Sequence, residues 1–216
     1  MSVRPRLDAL PEPQRVLWPE LAEIPRRFVL YGGTAIALRL AHRPSVDFDF
    51  FSHDSLDHRA LDTIAVLRGA TVLEEAPNER TVLVDRGGPI KISLFGGISF
   101  GRVGSPEPTE DGVLRLASLL DLGGTKLKAL LQRVEAKDYR DIIALLEANL
   151  LLTEMLGAAE TLFGPSFNHL VAQRALCYFE GGDLETLDEA SRQRLIAEAG
   201  RTLAVTPLPL EHVRLD

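Results

Sequence analysis

Apolar residues follow two different periods along this chain, and the change between them divides it. Up to residue 116, short apolar runs bounded by glycine, proline and asparagine predict strands at 28–31, 46–51, 71–75, 81–84, 90–95 and 113–116. Turns are expected at Pro77-Asn78 and Gly87-Gly88. Three helices fall among them. One covers 12–23, entered through Pro11 and Pro13 and stopped by Pro25; a second covers 34–40; a third covers 56–68, closed by Gly69. From Ser118 onward the period becomes helical. Leu119, Leu122, Leu127, Leu130 and Leu131 form one stripe, and Ser118 with Asp121 has capping-box spacing. Further helices are predicted at 137–149, 151–163, 166–179 and 187–199, before an irregular tail from Thr206. The expectation is an α+β chain: residues 1–112 form an α/β core with an N-terminal helix, and residues 113–216 form a helical C-terminal region.

The strand at 46–51 carries the sharpest chemistry. In Val46-Asp47-Phe48-Asp49-Phe50, alternate side chains share a face. Val46, Phe48 and Phe50 face a core, and Asp47 and Asp49 stand together on the other side, about 7 Å apart along the backbone. Aspartate is disfavoured in strands, and two like charges on one face repel. A divalent cation resolves both difficulties, since Mg²⁺ is held by one or two carboxylates together with substrate phosphates. Read alone, the pattern suits equally a half-exposed strand with solvated aspartates.

Tyr31-Gly32-Gly33-Thr34 ends the preceding strand. Glycine permits close approach of backbone to ligand, and the helix that follows offers unpaired N–H groups to phosphate. Thr34 adds a hydroxyl. The chain holds five Gly-Gly pairs, so the pair by itself carries little, and no Gly-Lys-Ser/Thr follows to make a P-loop. In the loop His42-Arg43-Pro44-Ser45, Arg43 suits phosphate oxygens, and Ser45 suits a phosphate or Asp47. Strand, Gly-Gly, helix, Arg-x-Ser and Asp-x-Asp together bring phosphate donors and metal ligands to one sheet end.

Composition narrows the setting. A 216-residue chain with 45% apolar residues is long enough for a substantial core. Its net charge is −7, which argues against general affinity for nucleic acid. Residues 1–43 nevertheless carry seven arginines against Asp8, Glu12, Glu20 and Glu23, a local excess of three positive charges. Cys177 is the only cysteine, no secretory signal is visible, and no apolar run reaches the length of a membrane span; a cytoplasmic protein is expected. The five histidines lack zinc-ligand spacing, and Ser52-His53-Asp54 makes no triad by adjacency alone.

The stretch from Leu30-Tyr31-Gly32-Gly33-Thr34-Ala35 to His42-Arg43-Pro44-Ser45-Val46-Asp47-Phe48-Asp49-Phe50-Phe51 resembles the AbiEii-type nucleotidyltransferases, part of the DNA polymerase β-like superfamily. A second patch, Asp121 to Leu130 with Thr125-Lys126, then Arg133 and Lys137-Asp138-Tyr139-Arg140-Asp141, is similar to that family's C-terminal pattern. The resemblance covers roughly residues 28–146. It implies a nucleotidyltransferase fold: a mixed sheet with flanking helices, then a helical region. Asp47 and Asp49 would hold Mg²⁺ and act in catalysis. Gly32, Gly33, Thr34, Arg43 and Ser45 would bind the nucleotide, and Lys126 would reach its triphosphate. Asp138 is expected near Lys126 or the acceptor, and Lys126 and Arg133, seven apart, share a helix face.

The implied reaction moves a nucleotide from an NTP to an RNA, tRNA among the candidates, or to a protein. Related proteins are toxins, so an antitoxin partner is implied as well. One departure stands out. Many superfamily members carry a third carboxylate on a later strand, where Ser93 stands in Ile90-Lys91-Ile92-Ser93-Leu94-Phe95. Asp85 on a neighbouring strand is a candidate substitute. Without one, the alternatives are one-metal chemistry, another base, or a non-catalytic nucleotide-binding module.

Overall fold

In the computed structural model, residues 2–201 and 204–216 are described, and they divide into two compact units. The first runs up to Phe100 and adds Ser105–Ala117 and Val213–Asp216; the second is Gly101–Gly104 with Ser118–His212. The first unit therefore extends to Ala117, past the boundary expected at 112, because a short strand at Arg115–Leu116 joins its sheet beside the Gly-Gly strand.

The first unit opens with helix α1 (Glu12–Leu17), continued as a 3₁₀ turn over Trp18–Glu23. Strand β1 (Val29–Tyr31) leads directly into α2 (Gly32–Leu40), so both glycines lie in the first helical turn. Strand β2 (Asp47–Phe51) follows, then α3 (His58–Thr63) and strands β3 (Thr71–Ala76), β4 (Glu79–Asp85), β5 (Pro89–Phe95), β6 (Glu107–Pro108) and β7 (Arg115–Leu116). They form one mixed sheet in the order β3-β4-β5-β2-β1-β7-β6. β2 runs antiparallel to β1 and parallel to β5.

The helix expected over 56–68 is broken. Asp57 caps α3 by accepting the Ala60 amide, but Ile64 is extended, and a separate 3₁₀ turn covers Ala65–Leu67. The Val66 amide donates to a carboxylate oxygen of Glu23 at 3.0 Å instead of continuing the helical ladder. A tertiary partner has thus outbid local propensity.

The second unit contains α4 (Leu119–Leu130), α5 (Ala136–Glu147), α6 (Leu152–Phe163), α7 (His169–Ala175) and α8 (Glu189–Arg201). Ser118 caps α4 by accepting the Asp121 amide at 3.1 Å. The reciprocal half of a capping box is absent there: the buried Asp121 carboxylate instead accepts the Val103 and Gly104 amides and the Ser118 hydroxyl. α4 packs closely on α6 at Gly123 and Gly124; a Cβ on Gly124 would stand 3.0 Å from the Ala159 nitrogen.

Candidate active site

The strand period places the two aspartates as the sequence requires. On β2, Phe48 and Phe50 are fully buried, while Asp47 and Asp49 are half-buried on the opposite face. Val46 does not share the apolar face; it lies outside the strand and is exposed, its carbonyl accepting the Gln14 amide at 2.9 Å. Asp49 lies opposite Tyr31, the last residue before the glycines. Gly32 has φ +72°, and a Cβ there would come within 2.7 Å of the Asp49 Oδ2. The glycine turn and the Asp49 carboxylate are therefore in direct contact, and only glycine gives both the backbone angle and the space.

Thr34 and Ser45 join the same assembly from opposite sides. Their hydroxyl oxygens are 2.8 Å apart, and Thr34 Oγ1 also donates to the Asp47 carbonyl. A carbonyl only accepts, so the Thr34 proton is committed to Asp47, and the Ser45 hydroxyl donates to Thr34. Both side chains are buried. Their hydroxyls tie the start of α2 to the start of β2, and any phosphate contact here falls to the backbone N–H groups of the first turn. The Tyr31 side chain does not cap that turn, and the helix dipole there favours an anion. Arg43, in the loop between α2 and β2, is partly exposed, and its guanidinium donates to the Pro44 carbonyl at 3.0 Å.

The parallel register of β2 with β5 sets Lys91 beside Asp47 and Ser93 beside Asp49. Lys91 Nζ is 3.1 Å from Asp47 Oδ2. Ser93 is buried, with its hydroxyl 3.3 Å from that of Thr81. Asp85 does not replace a carboxylate at this level. It pairs with Pro89 at the far end of the β4–β5 hairpin, where its carboxylate accepts the Gly87 and Gly88 amides at 2.9 and 3.2 Å. The two aspartates suit a divalent ion that takes its remaining ligands from phosphate and water. Among the described residues, no three His, Cys, Asp or Glu side chains gather to hold a metal by themselves.

A second cluster lies wholly in the helical unit. Lys126 on α4 is buried, with Nζ 2.7 Å from both Asp138 Oδ1 and Asp141 Oδ2 on α5. Arg133 reaches the same Asp138 with two hydrogen bonds, at 2.7 and 3.0 Å. Burial pushes the Asp138 carboxyl up, but the Arg133 hydrogen bonds and the Lys126 charge outweigh it and hold the group below its ordinary value. Lys126 and Arg133 offset the two buried carboxylates, while Glu135 lies 3.4 Å from Arg133 at the exposed edge.

The profile of the family described as nucleotidyl transferase AbiEii toxin, type IV toxin–antitoxin system, matches residues 20–205. The chain belongs to this AbiEii family. An uncharacterised protein of Aquifex aeolicus is 32% identical over 121 residues, 53% of this chain and 55% of that protein, so the match spans about half of the relative. The fold is similar to that of JHP933 from Helicobacter pylori (TM-score 0.55, 19% identity, 87% of each chain). It is also similar to MenT4, a nucleotidyltransferase toxin of Mycobacterium tuberculosis (TM-score 0.54, 12% identity, 88% of this chain and 82% of that one).

In this AbiEii chain the structure joins Gly32, Thr34, Ser45, Asp47 and Asp49, with Arg43 in the connecting loop, and joins Lys126 to Asp138 in the other unit. Lys91 and Asp141 escaped the sequence reading. Asp141 had a visible signal, standing three residues after Asp138 on one helix face. Lys91 matches the lysine of the superfamily's Lys-x-acid pattern, two residues before Ser93, but its pairing with Asp47 depends on strand register. The Ser52-His53-Asp54 run holds no relay: Ser52 is buried and accepts the Asp54 amide, and Asp54 pairs with Arg214 at 3.0 Å. No helix among the described residues is long and apolar enough to cross a membrane.

Proposed function

We propose that this AbiEii chain is a Mg²⁺-dependent nucleotidyltransferase that moves a nucleotide from an NTP to an RNA, tRNA among the candidates, or to a protein. The observation that carries the reading is the contact between Gly32 and Asp49, which sets a carboxylate pair against the N-terminus of α2. Asp47 and Asp49 are the proposed metal ligands. A divalent ion held there would supply positive charge to the triphosphate as pyrophosphate leaves. The N–H groups of Gly32, Gly33 and Thr34 would receive phosphate oxygens, and Arg43 would add a guanidinium from the neighbouring loop. Thr34 and Ser45 fix the spacing between those donors and Asp47. Lys126 and Asp138 stay with Asp141 in the ion network of the helical unit.

In the transfer, the acceptor oxygen forms a bond to the α-phosphorus, and the bond from that phosphorus to the bridging oxygen breaks. Pyrophosphate leaves with the electron pair, and the acceptor proton passes to solvent water. The family's toxin–antitoxin setting supports a neutralising protein partner and a cytoplasmic site of action.

Incubation of the full chain with Mg²⁺, each α-labelled NTP, and total RNA or protein tests the reading. Label is expected in one acceptor fraction from a preferred NTP. Ser93 favours one rival, a non-catalytic nucleotide-binding module; retention of nucleotide without transfer to any acceptor would select it.

A further inference from the structure

We propose that Lys91 is the second cation of the site, so that the protein works with one divalent ion where a pair would otherwise be needed. This rests on the nucleotidyltransferase reading above and assigns a residue within it.

Two-metal sites neutralise both the attacking and the leaving oxygens of a displacement. A second ion needs a further anionic ligand facing the first two. The positions that face Asp47 and Asp49 on β5 are Lys91 and Ser93. Ser93 is neutral and buried, and its hydroxyl lies beside Thr81; beyond it, Asp85 is occupied with the hairpin turn. The strand offers no carboxylate at Ser93, and two residues earlier it presents the Lys91 ammonium, 3.1 Å from Asp47 Oδ2. The charge arrives covalently, on a side chain whose Cα position is fixed by five paired residues between β2 and β5. The side chains of Lys91 and Asp47 are 41% and 34% exposed, so the ammonium remains within reach of a bound phosphate. Lys91 acts by offsetting negative charge on the α-phosphate, as fixed donors do in other displacements.

The test counts ions. The full chain is titrated with Mn²⁺ in the presence of the α,β-methylene analogues of ATP, GTP, CTP and UTP in turn, and bound Mn²⁺ is read by electron paramagnetic resonance. One ion per chain is expected with the preferred analogue. Lys91→Met is expected to keep analogue binding while transfer falls about 100-fold. In Lys91→Met/Ser93→Asp, a second bound ion is expected, and a count that stays at one tells against the proposal. Two ions on the wild-type chain, or undiminished transfer by Lys91→Met, would overturn the assignment of Lys91 while leaving nucleotide transfer intact. No retained Mn²⁺ with any analogue would instead remove the nucleotidyltransferase reading itself, and this inference with it. The wild-type count needs no variant to fold.

Discussion

Gly32 and Asp49 constrain each other. Gly32 has a positive φ and no room for a methyl group against the Asp49 carboxylate. Gly32→Ala is expected to cost about 1 kcal/mol or more of stability, from backbone strain alone, and to displace Asp49. Denaturant unfolding and label transfer should both register it; unchanged transfer would show that the contact is incidental. Thr34 makes a separate prediction. Thr34→Val removes the proton that the part-buried Asp47 carbonyl accepts, at a cost of about 1 kcal/mol. Thr34→Ser should restore most of it, and a urea series on both variants decides. At this scale the aspartates were legible because side chains alternate along any strand. The commitment of the Thr34 hydroxyl was not, since its acceptor lies thirteen residues away on the other side of a loop.

Between helices α4 and α5 the energetics turn on a buried ion network. Lys126 between Asp138 and Asp141 is stable only while its partners are ionised. Asp138→Ala leaves a buried ammonium short of a partner and is expected to cost about 3–5 kcal/mol. The pH dependence has a definite sign. The Asp138 pKa is lower folded than unfolded, so its contribution is complete above the ordinary carboxylate range and is lost as pH falls through the lowered value. Asp121 acts in the opposite sense. Burial raises it, more than its bonds from Ser118 and the Val103 and Gly104 amides lower it, so its contribution is present at low pH and declines as pH rises. Asp138→Asn should therefore flatten the acid limb of stability from about pH 5 downward; an unaltered limb in urea midpoints against pH would contradict the network's role. The order of elements was readable from period, cap and breaker residues. The break at Ile64 was not, because the Glu23 carboxylate that captures the Val66 amide is distant in sequence.

Across the whole molecule, the α+β architecture and the family followed from local motifs, while the N-terminal positive charge is partly taken up inside the fold. Among the seven arginines counted there, Arg15 and Arg26 donate to the Leu10 and Gly112 carbonyls, and Arg39 binds Glu107 and the Leu116 and Ala117 carbonyls. Much of the local positive charge holds the fold. Register was equally hidden: β2 meets β5 only after a long excursion of the chain, and that pairing alone brings Lys91 to Asp47. The account depends on Asp49 serving as a metal ligand against the α2 turn. The most direct measurement compares wild type with Asp49→Asn for transfer of α-phosphate label from NTP to total RNA or protein in Mg²⁺. Wild type should label an acceptor and the variant should not; equal labelling by both would contradict the assignment.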